Sequence, residues 1–244
     1  MNRTVSIDYV VLAIVTLLAA VEPAMGATEK ILHQFVNIRQ GAYPQSGLVA
    51  DAQGNLYGTS VYGGVFGFGT VFQLAPGANG MWKQTVIYSF TGLNDGAYPN
   101  GNVVLDSAGN VYGATTNGGY LGCITGCGVV FELSSGSNGK WTQKVLHRFG
   151  QTGDGAFPNG SLVFDSGGSL YGTTSGGGLD NTACREDCGT VFRLTPSGSV
   201  WKETLLYEFT AGSDGSTPEV SVVFDSHGNL YGTTVQCSSV AHRV

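Results

Sequence analysis

Short runs of alternating hydrophobic and polar residues recur along this chain, and turns rich in glycine, asparagine and aspartate separate them. The most regular run reads Leu/Val-Tyr-Gly and continues with small or hydroxylated residues. Its tyrosines recur at nearly equal intervals: Tyr57, Tyr112, Tyr171 and Tyr231. A nearly fixed period of this kind indicates an array of one repeated supersecondary unit, which identifies these tyrosines as structural repeat positions.

The pattern within each repeat predicts four short strands. An apolar run ends in an aspartate, and a glycine follows three residues later, which is typical of a hairpin turn. The tyrosine strand comes next, and a glycine-rich loop leads to a third strand with alternating apolar residues, such as Val71-Phe72-Gln73-Leu74. A tryptophan opens the fourth strand. The positions are Asp51, Asp106, Asp165 and Asp225 for the turns, and Trp82, Trp141 and Trp201 for the fourth strands.

Four strands in each unit of about 40 to 60 residues are the pattern of a β-propeller blade. We therefore expect an all-β, propeller-like array of about four four-stranded blades, with the last blade incomplete. The repeats span residues 41–95, 96–154 and 155–214, with a partial repeat at 215–244. Residues 31–35 match a fourth strand without partners, and we expect them to pair with the partial blade that begins at Val220. The last repeat either closes with a degenerate strand or marks a shortened array, and we favour shortening.

Residues 1–26 predict a secretory signal peptide, which leaves 27–244 as the repeat domain. Arg3 precedes an apolar run from Tyr9 to Val21, and the small residues of Ala24-Met25-Gly26 mark a cleavage point. The alternative is a retained membrane anchor, for which this run is short, since a bilayer needs about 20 residues. We therefore expect a secreted, extracellular or cell-surface protein without a stable membrane span after cleavage.

Composition supports a folded chain and argues against one class of partner. Hydrophobic residues make up 42% of the sequence beside 39 glycines, so a turn-rich folded protein is expected rather than a disordered one. The net charge is −6 and no basic run is present. Since phosphate binding needs clustered Lys and Arg, nucleic acid is not an expected partner.

The repeat resembles a known family. Its elements are Leu162-Val163-Phe164-Asp165, Leu170-Tyr171-Gly172-Thr173-Thr174 and Gly189-Thr190-Val191-Phe192, followed by a tryptophan strand. Together they are similar to the GloVer tandem repeat of secreted bacterial proteins described as choice-of-anchor tandem repeat GloVer-containing. The resemblance covers roughly Ile31 to Thr234. It implies a propeller-like, exported and often surface-anchored protein, and it supplies no catalytic residues. The chain departs from that pattern in its few repeats and in lacking a recognisable C-terminal anchor.

The cysteines form two pairs with the same spacing, each just before a third strand: Cys123 with Cys127, and Cys184 with Cys188. In an exported chain this spacing predicts two local disulfides. The alternative, a zinc site, requires the two pairs to meet although they lie in different repeats. Cys237 has no partner in this scheme.

The acids and histidines do not predict a metal or a catalytic site. The recurring aspartates are explained as turn residues. His33 and His147 occupy a position where the other repeats have tyrosine, which favours a packed aromatic site. The acids Asp180, Glu186 and Asp187 break the repeat in one loop, where a solvated loop is favoured over a cation site. We expect no cofactor.

The loops between second and third strands should share one face with the linkers between repeats. The longer loops, 117–128 and 175–189, make this the expected binding face. The candidate binding residues are Tyr98, Tyr120, Phe157 and Asp180. The favoured alternative for the aromatic residues is that they wedge between blades.

The sequence thus favours a secreted, non-catalytic binding or scaffold module whose ligand is unknown, with a glycan or a cell-envelope protein as candidates. The alternative is an extracellular carbohydrate-active enzyme, a lyase or glycoside hydrolase, on a propeller scaffold. An enzyme would need a cluster of polar residues that breaks the repeat symmetry, and the sequence alone assembles none.

Overall fold

The computed structural model describes residues 31–119, 122–151, 153–178 and 188–235. These residues form an all-β array, and among them no helix has the length and apolar character to cross a membrane. The strands are β1 (Val49–Ala50), β2 (Leu56–Ser60), β3 (Thr70–Pro76), β4 (Trp82–Ser89), β5 (Val104–Leu105), β6 (Val111–Thr115), β7 (Val129–Ser135), β8 (Trp141–Arg148), β9 (Gly155–Pro158), β10 (Val163–Phe164), β11 (Leu170–Gly177), β12 (Thr190–Ser197), β13 (Val200–Glu208), β14 (Val223–Phe224) and β15 (Leu230–Tyr231).

Each complete repeat forms one antiparallel sheet whose strands are neighbours in chain order. The sheets are β1 to β4, β5 to β8, and β10 to β13, and β14 pairs with β15 as the start of a fourth. In the third sheet the linker strand β9 also pairs with β11. The predicted all-β, propeller-like array of four-stranded blades is therefore confirmed, and the described residues of the fourth repeat form two strands.

The hairpin between the first two strands of each blade is built around its aspartate. Asp106 accepts the N–H groups of Ala108 and Asn110 at 2.9 Å, and it accepts the Tyr112 hydroxyl at 3.0 Å. Burial raises the pKa of Asp106, but these hydrogen bonds and that of the Asn110 side chain outweigh it, so its pKa lies below the ordinary value. Gly109 completes the turn at a φ of +82°, where a side chain would be strained. The aspartate thus holds both the turn and the repeated tyrosine.

The glycine after each tyrosine makes room for the phenylalanine of the third strand. A Cβ added to Gly113 would lie 2.6 Å from the Cζ of Phe131, closer than real contacts allow. Gly58 and Gly172 face Phe72 and Phe192 in the same way. Glycine is therefore required here by the close approach of a ring.

The same phenylalanines join consecutive blades. The Phe131 ring lies 5.2 Å from that of Phe90, which follows the last strand of the preceding blade, and the contact is edge-to-face. Phe192 and Phe149 repeat the contact at 5.1 Å between the next two blades. All four rings are almost fully buried, so each blade packs on the next through an aromatic pair.

The N-terminal segment differs from the expectation. Residues 31–36 form no strand and do not pair with β14 or β15. Instead, the Phe35 ring packs edge-to-face on Phe72 of the first blade at 5.1 Å. Phe35 therefore takes the place that Phe90 and Phe149 hold at the later interfaces, because the first blade presents the same phenylalanine to be covered.

The linkers hold a bulky residue in a left-handed conformation. Tyr98 has a φ of +57°, its N–H donates to the carbonyl of Phe68 at 2.9 Å, and its own carbonyl accepts from Thr116 at 3.2 Å. It therefore ties the loop of one blade to the second strand of the next. The conformation is unusual for a side chain of this size, and it recurs at Tyr43, Phe157 and Thr217.

We expect the Tyr112→Ala substitution to destabilise the fold strongly. Tyr112 is 6% exposed, and truncating a buried aromatic residue costs about 3–5 kcal/mol, which lowers the Tm of a domain of this size by roughly 10 °C. Tyr112→Phe, which removes only the hydroxyl bond to Asp106, should cost about 1 kcal/mol. Thermal unfolding measures both.

The partial blade offers a matched control for this substitution. Tyr231 also stands between an aliphatic residue and a glycine and has the equivalent bond to its aspartate, at 3.2 Å, but it is 56% exposed. Tyr231→Ala should change the unfolding free energy by about 1 kcal/mol or less. Equal losses of stability in Tyr112→Ala and Tyr231→Ala would contradict a role that depends on burial.

Candidate functional site

The loop before β7 is closed by a disulfide between Cys123 and Cys127, whose Cα atoms are 5.3 Å apart. The carbonyl of the buried Cys127 accepts the N–H of Phe157 at 2.8 Å, so the loop also anchors the following linker. Cys188 is buried and disulfide-bonded as well. Its predicted partner, Cys184, lies outside the described residues, as do Cys237, the candidates Tyr120 and Asp180, and the loop acids Glu186 and Asp187.

A polar cluster that breaks the repeat symmetry lies between the second and third blades. His147 comes from β8, Asp154 from the linker and Glu203 from β13. The Nε2 of His147 lies 3.2 Å from the Oδ2 of Asp154 and 3.6 Å from the Oε2 of Glu203. The side chain of Asp154 is only 6% exposed, and the other two are largely buried. Three potential ligand atoms thus lie within 4.8 Å of one another.

The interface between the first two blades shows what is unusual about this cluster. There the Tyr88 hydroxyl lies 3.0 Å from the Asp95 carboxylate and 3.3 Å from the Gln143 side-chain oxygen. The Nε2 of Gln143 donates to the Asp95 carbonyl at 2.7 Å. The amide supplies both a donor and an acceptor, so the neutral Gln143 meets the charged Asp95 without repulsion.

Glu203 holds the position in the third blade that Gln143 holds in the second, and its carboxyl group has no N–H to donate. Its Oε1 is buried without a hydrogen-bond partner. The pKa of Glu203 is raised to about 7: burial raises it most, the nearby Asp154 also raises it, and His147 lowers it in part. Two carboxyl groups and an imidazole at this spacing can share a proton or ligate a divalent cation.

Sequence reasoning explained two members of the cluster by their local roles and did not single out the third. His147 does pack as an aromatic residue, with its ring 4.6 Å from that of Phe149, and Asp154 does bond the linker backbone through the N–H of Gly155 at 2.7 Å. Each of these roles is possible without the cluster, so neither role predicted that the three side chains meet. The sequence did contain a signal for the cluster. Two residues after the tryptophan that opens the fourth strand, the first two blades have Gln84 and Gln143, whereas the third blade has the acidic Glu203.

A second feature is a row of tyrosines on the face of the linkers. Tyr43 and Tyr62 have ring centroids 5.5 Å apart, and Tyr62 and Tyr98 are 5.3 Å apart, both in edge-to-face contacts. Tyr43 is 65% exposed and Tyr62 is 47% exposed, whereas Tyr98 is half-buried. The backbone fixes the row, because the Val61 N–H donates to the Tyr43 carbonyl at 3.2 Å. We call Tyr43, Tyr62 and Tyr98 the aromatic row.

The predicted aromatic positions occupy different environments. Tyr98 belongs to the aromatic row, whereas Phe157 is half-buried against the core shared by the second and third blades. Trp141 and Trp201 pack on the tyrosines of the preceding blades, Tyr57 and Tyr112, with centroids 6.4 and 6.2 Å apart. Trp82 opens β4 and is half-buried.

We expect Glu203→Gln to change how stability depends on pH. Because the folded-state pKa is raised to about 7, the folded protein holds a proton between pH 4.5 and 7 that the unfolded chain releases. The unfolding free energy of the parent should therefore fall as pH rises through this window. Gln does not titrate, so the unfolding free energy of the variant should not show this fall between pH 4.5 and 7. The variant also has the same side chain that the second blade has at Gln143.

Urea unfolding at several pH values between 4 and 8 measures this difference. Glu219→Gln removes an exposed carboxylate in the linker before the partial blade and controls for the change in net charge. If the parent and Glu203→Gln keep a constant difference in unfolding free energy across the window, the raised pKa is wrong.

A family model described as the Gloeobacter/Verrucomicrobia repeat matches residues 18–241. A search of curated proteins finds no match. The matched residues include all four tyrosine strands and the blade interfaces described above. The chain belongs to the Gloeobacter/Verrucomicrobia repeat family.

Proposed function

We propose that this chain is an exported, non-catalytic binding module whose linker face holds a glycan or a cell-envelope partner. The observation that carries the proposal is the aromatic row. Its three rings come from two linkers and one loop, so the spacing of the rings is fixed by blades that pack rigidly on one another.

The chemistry of the aromatic row suits a ligand with both apolar and polar groups. A tyrosine offers an apolar ring for stacking and a hydroxyl for hydrogen bonds, and it loses little conformational entropy on binding. The loop that carries Tyr62 also exposes Val65 and Phe66. Exposed apolar groups that form a contiguous patch are typical of interaction sites.

Two features support export. Residues 1–26 have the charge, apolar run and small residues of a signal peptide. The Cys123–Cys127 disulfide is typical of a protein that folds in an oxidising compartment. Mature protein should therefore begin near Ala27, and an extracellular chain that retained residue 1 would contradict cleavage at this point.

The alternative function is an extracellular carbohydrate-active enzyme, and the cluster of His147, Asp154 and Glu203 is the observation in its favour. A carboxyl group with a raised pKa beside a second carboxyl group is the arrangement of a glycoside hydrolase acid and its partner. Against this alternative, Asp154 is 6% exposed between two blades, so a sugar could not reach both groups without separating the blades.

A glycan array and an envelope-extract pull-down on the purified protein test the proposal. Tyr62→Ala should weaken binding of any captured glycan or partner by at least about tenfold, because a central aromatic anchor commonly contributes that much. Met81→Ala, at a more exposed apolar position in the turn between β3 and β4 on the opposite face, should bind like the parent.

The enzyme alternative predicts a different result. Polysaccharide cleavage that is lost in Glu203→Gln but retained in Tyr62→Ala would replace the binding proposal. Failure of the parent to bind any glycan or envelope component would also contradict it.

A further inference from the structure

A cavity of about 650 Å³ lies between the third blade and the strands that begin the fourth. Its wall includes Phe209 after the last strand of the third blade, and Val222, Leu230 and Gly232 from the partial blade. We call this cavity the terminal groove. It has no part in the aromatic row or in the cluster of His147.

The complete blades show what fills the equivalent position. At the second blade, Phe131 lies over Gly113 and contacts Phe90 of the preceding blade. At the third, Phe192 lies over Gly172 and contacts Phe149. The terminal groove has the same glycine and the same preceding phenylalanine, Gly232 and Phe209.

Among the described residues, the groove lacks the ring that these two residues receive elsewhere. Among the residues that the structure describes, a Cβ added to Gly232 would meet only Val222, at 3.4 Å, whereas the equivalent atoms at Gly113 and Gly172 would lie 2.6 Å from a phenylalanine. Phe209 is half-buried, although Phe90 and Phe149 are almost completely buried. An aromatic side chain is therefore the group that fits between them.

The surrounding side chains are exposed for the same reason. Leu206 is 40% exposed, whereas Leu146 in the preceding blade is 8% exposed. Burying apolar surface of this kind is favourable at about 25 cal/mol per Å². A ligand that covers these side chains therefore gains the same kind of burial free energy that the interfaces between complete blades already have.

The backbone offers a strand edge beside the groove. In the third blade, β11 pairs on one side with β10 and on the other with β12, with Gly172 opposite Phe192 and Leu170 opposite Leu194. In the partial blade, β15 pairs with β14, and no strand among the residues described up to Val235 pairs with its other edge. An unpaired edge is a template for one more strand.

We infer that the terminal groove binds an extended peptide segment with the third-strand pattern of this same repeat, Gly-Thr-Val-Phe-x-Leu. The segment adds antiparallel to β15, its phenylalanine lies over Gly232 against Phe209, and its leucine lies opposite Leu230. The groove continues an interface that the chain already forms between its complete blades. Main-chain bonds supply affinity and the phenylalanine supplies selectivity, as in other cases of strand addition.

The test uses a fluorescent peptide with the sequence of residues 189–197, Gly-Thr-Val-Phe-Arg-Leu-Thr-Pro-Ser, titrated with the purified full-length chain. Fluorescence anisotropy should show saturable binding. A second peptide with alanine in place of its phenylalanine should bind at least about tenfold more weakly, because it lacks the buried anchor.

A variant of the protein supplies the matched control. Gly232→Leu puts a side chain where the phenylalanine of the segment would lie. Among the described residues, the nearest atom to its Cβ would be Cγ1 of Val222 at 3.4 Å, an ordinary contact, so the variant should fold like the parent and lose peptide binding by a similar factor. Circular dichroism checks the fold. The inference is overturned if the parent does not bind the peptide. It is also overturned if the alanine peptide binds equally well, or if Gly232→Leu binds like the parent.

Discussion

The contact between a third-strand phenylalanine and a second-strand glycine is the interaction on which the rest of this array depends. The ring of Phe131 can reach Phe90 only because Gly113 has no side chain. One contact therefore sets the spacing within a blade and the packing between blades. Since an array of repeats gains its stability from interfaces between neighbours, a small contact repeated at every interface has a large summed effect.

The polar residues are arranged around this aromatic core. The hairpin aspartates hold the tyrosine hydroxyls at one end of the blades, and the left-handed linker residues tie consecutive blades together at the other. The functional features lie where the repeat departs from uniformity. Glu203 replaces an amide at one interface, the aromatic row is exposed beside the first blade, and the terminal groove lacks its phenylalanine among the described residues.

The repeat made much of the fold predictable from sequence. The apolar alternation and the aspartate turns indicate four strands per repeat, and the recurrence of Tyr112 and its counterparts indicates packing rather than ligand contact. The cluster of His147, Asp154 and Glu203 could not be predicted in the same way. Its members come from two different repeats, and they meet only because one blade packs on the next in a particular register. The place of Phe35 was missed because its strand-like sequence says nothing about which blade it covers.

Native-state hydrogen exchange tests most directly whether the phenylalanine contact locks each blade. The amide of Gly172 lies in a blade that has the contact, and the amide of Gly232 lies at the same position in a blade that lacks it among the described residues. If the contact locks each blade, the residues around Gly113 and Gly172 exchange only through global unfolding, and those around Gly232 exchange orders of magnitude faster through local opening. Equal protection at Gly172 and Gly232 would show that the blades are stable without this contact and would contradict the account.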